Sequence, residues 1–98
     1  MFTVLVSMQV KPEHIPAFTT ATIDDVRASL LDAGVVRFDF IQQSDDSGHF
    51  MLNEVYQTRK DGEHHLETEH FKQWRATIKA MLVEPPNATA FEQVFPKS

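Results

Sequence analysis

From Phe2 to Val10 the even positions carry Phe2, Val4, Val6, Met8 and Val10, with Thr3, Ser7 and Gln9 between them. That period of two predicts a half-buried strand. Leu5 breaks the polar side, so the second face of the sheet is expected to be partly covered as well. Lys11-Pro12-Glu13 turns the chain, and the period lengthens: Ile15, Phe18, Thr22, Val26 and Leu30 make one apolar helical stripe, with Asp24, Asp25 and Arg27 interleaved. Pro16 falls in the first turn, where its missing N–H has no partner anyway, and Gly34 ends the helix. Val35 to Ile41 alternates again and is rich in β-branched and aromatic residues, the signature of a second strand. Ser44 to Gly48 supplies a turn, and Phe50 to Tyr56 pairs back as a third strand in a hairpin. After Asp61-Gly62 the pattern turns helical: a short turn near Glu63 to Leu66, a break, then a main helix whose stripe is Phe71, Trp74, Ile78, Met81 and Leu82. Thr68 suits its N-cap, and Glu69 complements the helix dipole in the first turn. Pro85-Pro86-Asn87 stops it, and Ala88 to Phe95 reads as a fourth strand.

The order strand, helix, strand, strand, helix, strand is the α+β, ferredoxin-like βαββαβ arrangement, an antiparallel sheet with both helices on one face. It is read as a single domain over residues 1–98. A chain of 98 residues buries only roughly 60–65% of its unfolded surface, so its thin core is expected to be completed by a second copy. With 9 basic against 14 acidic residues and a net charge of -5, it lacks the positive field that a phosphate backbone or anionic lipid needs, which excludes nucleic acid and membrane as expected partners. No cysteine is present, which removes disulfides, thiolate metal sites and a cysteine nucleophile. No apolar stretch approaches the ~20 residues of a membrane helix. Met1 to Ser7 suits a strand better than a signal peptide, so the expected location is cytoplasmic.

Candidate chemistry centres on Glu54. It lies mid-strand between Leu52 and Tyr56 on one face, and a carboxylate covered by helices has its pKa raised toward neutrality, making it a possible general base or acid. The competing reading pairs Glu54 with Arg37 or uses it as a helix cap. Arg37 and Asp39 share the face opposite Phe38 and Phe40, which reads as surface or subunit interface rather than catalysis. His64, His65 and His70 cluster before the second long helix, and a neutral imidazole there could shuttle protons. No metal is expected: His65 and His70 are five apart, about 140° around one helix, and no zinc-protease pattern is present. His14 and His49 fall in predicted turns and read as solvated. Trp74, Phe71, Phe18 and Phe91 could line a pocket for a planar ligand, although aromatic residues at helical spacing usually pack the core. With no glycine-rich phosphate loop, nucleophile elbow or dinucleotide fingerprint, no cofactor is expected.

These segments together resemble the antibiotic biosynthesis monooxygenase domain family over essentially the whole chain. The opening strand followed by Lys11-Pro12 and the Phe18 helix, Arg37-Phe38-Asp39 after a glycine, Asn53-Glu54-Val55-Tyr56, and His65-Leu66-Glu67-Thr68-Glu69-His70-Phe71 match in order and spacing. The resemblance implies a dimeric α+β barrel in which two ferredoxin-like sheets pack face to face. It also implies a cofactor-independent oxygenase acting on phenols or quinols, in which the reduced substrate itself activates dioxygen. Carried over by position, Glu54 and His65 become the catalytic proton-transfer groups, and Tyr56, His70, Phe71 and Trp74 bind or orient substrate, with Arg37 reserved for an anionic one. One subgroup, the isomerase of phosphorylated autoinducer-2, shares the same segments and implies proton transfer on a small phosphorylated ketone, although only Arg37, Lys72 and Arg75 are basic near the expected pocket. Haem-degrading members carry an asparagine in the first strand that has no counterpart among Ser7, Met8 and Gln9. A non-catalytic ligand-binding dimer is the third possibility.

Overall fold

In the computed structural model, which describes residues 1–97, strand β1 (Phe2–Gln9) leads through a 3-10 turn (Pro12–His14) into helix α1 (Ile15–Ser29). Strands β2 (Val35–Gln42) and β3 (His49–Tyr56) form a hairpin, followed by α2 (Arg59–His65), α3 (Glu69–Ile78), a 3-10 turn (Lys79–Met81) and β4 (Asn87–Glu92). Ser98, the last residue of the expected domain, lies outside the described residues. All pairings are antiparallel in the order β2-β3-β1-β4, the ferredoxin-like topology. No helix among the described residues is long and apolar enough to cross a membrane.

The period of two is realised side chain by side chain. On β3, Phe50, Leu52, Glu54 and Tyr56 are all buried toward the helices, and on β1 so are Phe2, Val6 and Met8. Phe38 and Phe40 face the same way, which leaves Arg37, Asp39 and Ile41 on the outer face. That outer face also carries Leu5, Met51, Val55 and Phe91, in register with Asn53, Thr3 and Ser7. One slip of register, at Val36 between Val35 and Arg37, aligns the aromatic positions of β2 with the inward positions of β3.

Several expectations about the elements need correction, among them the second long helix, which ends at Ile78 and passes through the 3-10 turn to Leu82, bridged to Val10. On α1 the buried stripe is Phe18, Thr22, Asp25 and Ser29, while Leu30 is 51% exposed. From Thr22 both Asp25 and Val26 lie one turn on, and the helix rolls so that the polar member of each pair goes inside. Helix α2 starts at Arg59, before Asp61-Gly62, because Thr58 and Asp61 form a reciprocal capping box. Strand β4 ends at Glu92, short of the predicted Phe95. His49 is not a solvated turn residue: it opens β3, with Ser7 Oγ 2.7 Å from its Nε2 and Gln43 Oε1 2.8 Å from its Nδ1.

Candidate active site

Because alternate residues of a strand share a face, Glu54 and Tyr56 both enter the layer between sheet and helices. Tyr56 Oη donates to Glu54 Oε1 at 2.6 Å. Glu54 is only 6% exposed. Burial pushes its carboxyl up to about 7 against the opposing hydrogen bond from Tyr56, and the nearby Asp25 carboxylate pushes the same way. Tyr56 is pushed upward too, by burial first and then by the charge of Glu54, so it remains a donor. A carboxyl that titrates near neutrality beside a phenol that does not is suited to accepting and returning one proton.

His65 is placed over this pair by α2. A Cβ on Gly62 would lie 3.0 Å from the Phe2 ring and 3.2 Å from Tyr56, so glycine is what lets α2 approach the sheet this closely. Three residues on, His65 is 2% exposed, with its ring 5.9 Å from Tyr56, 5.3 Å from Phe38 and 5.2 Å from Phe71. Burial lowers its pKa below the usual imidazole value, and the neighbouring His70 adds to that against the pull of Asp32. At neutral pH it is therefore a neutral acid-base group. Thr68 fixes the joint between the helices, donating to the His65 carbonyl at 2.7 Å and accepting from the Phe71 N–H at 3.3 Å.

His70 bridges two carboxylates, with Nδ1 3.0 Å from Asp25 Oδ1 and Nε2 2.9 Å from Asp32 Oδ2. Burial alone would lower its pKa, but the hydrogen bonds and charges of Asp25 and Asp32 outweigh it and the net shift is upward. Asp25 is itself pushed up by burial, against the pull of His70. Neither aspartate was singled out from the sequence. Asp25 had a signal, its helical spacing from Phe18 and Thr22, but its type assigned it to the solvated face. Asp32, in the loop after α1, had none. The helical-spacing argument against His65 and His70 acting together also fails, because they stand on separate helices with ring centroids 5.6 Å apart.

The remaining candidates divide. Phe71 meets His65 ring against ring in a T-shaped contact and belongs to the cluster. Trp74 is a buried wall residue that donates from Nε1 to Thr22 Oγ1 at 3.0 Å. Arg37 does not pair with Glu54: it lies on the outer face, bonded to Asp39. Phe91 also faces outward, away from Phe18. Clefts open beside the cluster. One, of about 700 Å³ between α1 and β2, is walled by Phe38, Phe40, Phe50 and Val26, with Arg27 and Arg37 also in its lining. Phe38 divides this space from His65 and is the cross-strand neighbour of Glu54. A second cleft of about 660 Å³ is lined by Phe71, Lys72, Arg75 and Lys79, and a third of about 290 Å³ by Asp25, His70 and Trp74.

Comparison with known proteins gives a consistent family. The model of the family described as antibiotic biosynthesis monooxygenase matches residues 1–77. A Nitrosomonas europaea protein whose structure carries that family's name is 35% identical, with a TM-score of 0.94 over 97% of this chain and 100% of its own. Another so named, from Deinococcus radiodurans, is 16% identical with a TM-score of 0.92 over 100% of this chain and 97% of its own. A conserved Methanosarcina mazei protein, 17% identical, has a TM-score of 0.91 over 94% and 91% respectively. These last two share the fold alone. No curated protein sequence matches the chain.

Proposed function

Because the chain belongs to the antibiotic biosynthesis monooxygenase family, we propose that it is a cytoplasmic, homodimeric, cofactor-independent enzyme that oxidises a small phenol or quinol with dioxygen. The observation that carries this reading is Glu54, a buried carboxyl held up to about 7 and hydrogen-bonded to Tyr56, one side chain away from an aromatic-walled cleft. In this reading the planar substrate lies against Phe40 and Phe50, and rotation of Phe38 brings its hydroxyl to Glu54. Glu54 takes the phenolic proton and later gives it back, while Tyr56 holds its carboxyl by donating to it and neutral His65 serves as the second proton-transfer group. The phenolate, poor in water contacts, gives its electrons to dioxygen. Phenol plus dioxygen becomes quinone plus water, so the substrate supplies all the reducing electrons and no second reductant is needed. The outer sheet face, with Leu5, Met51, Val55, Ile41 and Phe91, is the surface that a second copy would cover.

Oxygen uptake by metal-stripped protein with a panel of hydroquinones and dihydroxyarenes tests this. Uptake is expected from the wild type, with a loss of roughly 10²-fold or more in Glu54→Gln and in His65→Ala. Undiminished uptake in both variants would overturn it. The second cleft favours another reading: Lys72, Arg75 and Lys79, against the one carboxylate of Glu84, share it with Phe71, the ring against His65, and suit a phosphorylated ketone isomerised by the same groups. Turnover of such a ketone without oxygen consumption selects that reading instead.

A further inference from the structure

The proton-transfer reading makes no use of Asp32 or Asp25, nor of the way His65 and His70 converge on Asp32. We infer that Asp32, His65 and His70 form a binding site for one divalent first-row transition metal, with Asp25 as the outer carboxylate that orients His70. One ligand atom from each of the three residues lies within 4.8 Å of the others. Asp32 Oδ2 is 3.6 Å from His65 Nδ1 and 2.9 Å from His70 Nε2. In a tetrahedral site with metal–nitrogen bonds of 2.0–2.1 Å, ligand atoms stand about 3.4 Å apart. The first separation is already there, and the second has to open by only about half an ångström as the metal replaces the proton between Nε2 and the carboxylate.

Two independent features point to a ligand. His65 Nδ1 is buried with no hydrogen-bond partner among the described residues, although buried ring nitrogens are ordinarily satisfied. Its nearest carboxylate oxygen is that of Asp32, beyond hydrogen-bond reach. Second, Asp25 Oδ1 holds the other nitrogen of His70 at 3.0 Å, the outer-carboxylate arrangement that fixes tautomer and ring direction in metal-bound histidines. Two imidazoles and one carboxylate select zinc, cobalt or iron over magnesium or calcium, which prefer oxygen alone. The side chains of His70 and Asp32 are 24% and 20% exposed, so the remaining coordination positions open toward solvent and give the ion an entry path.

The test is titration of chelator-stripped protein with cobalt(II) chloride, followed by visible d–d absorption and calorimetry. One ion per chain is expected, lost in Asp32→Asn and His70→Ala and weakened roughly 10- to 100-fold in Asp25→Asn, while His64→Ala, on the exposed side of α2, binds as the wild type does. Histidine ring NMR of wild-type protein with zinc chloride covers the case in which a variant misfolds: the His65 and His70 signals should shift stoichiometrically, and those of His14, His49 and His64 should not. No uptake at millimolar metal, uptake indifferent to Asp32→Asn and His70→Ala in folded protein, or shifts spread over all five histidines would each overturn the site. The inference does not rest on the oxygenase reading, whose assay is run without metal and succeeds or fails separately.

Discussion

The layer between sheet and helices has two halves that are chemically opposite. At one end Phe18, Phe40 and Phe50 pack ring on ring, with centroids 5.1 to 5.9 Å apart, among Met8, Val10, Ile78 and Leu82. At the other, Glu54, Tyr56, His65, Asp25, Thr22 and Ser29 are buried to a similar degree. The apolar half gains free energy from burial, about 25 cal/mol for each Å² removed from water. The polar half loses much of that gain to desolvating groups that titrate. A small chain tolerates such a half only because the other half holds the elements in place.

Breaking the apolar half should have the largest effect. Phe18→Ala removes the ring shared by Phe40 and Phe50 and is expected to destabilise the fold by about 3–5 kcal/mol in urea unfolding. Glu54→Gln should do the reverse. The Glu54 pKa is raised from 4.5 to about 7 by folding, so the folded state holds the proton more tightly than the unfolded state. Its contribution is fully present below about pH 4.5 and is lost as pH rises through about 7, a swing of about 3 kcal/mol. The glutamine variant, with nothing to ionise, should show that decline flattened and be more stable than wild type at about pH 8. An unchanged pH profile would mean that this carboxyl is not held in its acid form. Gly62→Ala sharpens the comparison at its seam. Its Cβ presses on Phe2 and Tyr56, so a loss of about 1–3 kcal/mol is expected. The His65 ring should move off Tyr56, read as a change in the His65 NMR shift while the aromatic cluster signals stay in place.

How much of this was legible in the sequence follows the same division. Strand order and topology were readable because burial imposes a period, and Phe38, Leu52 or Trp74 obey it wherever the neighbouring elements sit. Glu54 was readable for the converse reason, since a carboxylate in an apolar alternation has nowhere to go but inside. Asp25, Asp32 and the meeting of His65 with His70 were not, because these contacts join separate elements whose crossing depends on how α1 rolls and how far Gly62 lets α2 descend. The roll of α1 was ambiguous between two stripes one residue apart, and the tertiary structure chose the one that supplies His70 with a partner.

The single tryptophan of the chain has an optical consequence. Trp74 is anchored through its indole N–H to Thr22 and shares a cleft wall with Asp25 and His70. Its emission therefore originates beside the polar half and from no other part of the protein. Fluorescence gives each event at that cleft a built-in reporter, with no label and no second emitter of its kind to subtract.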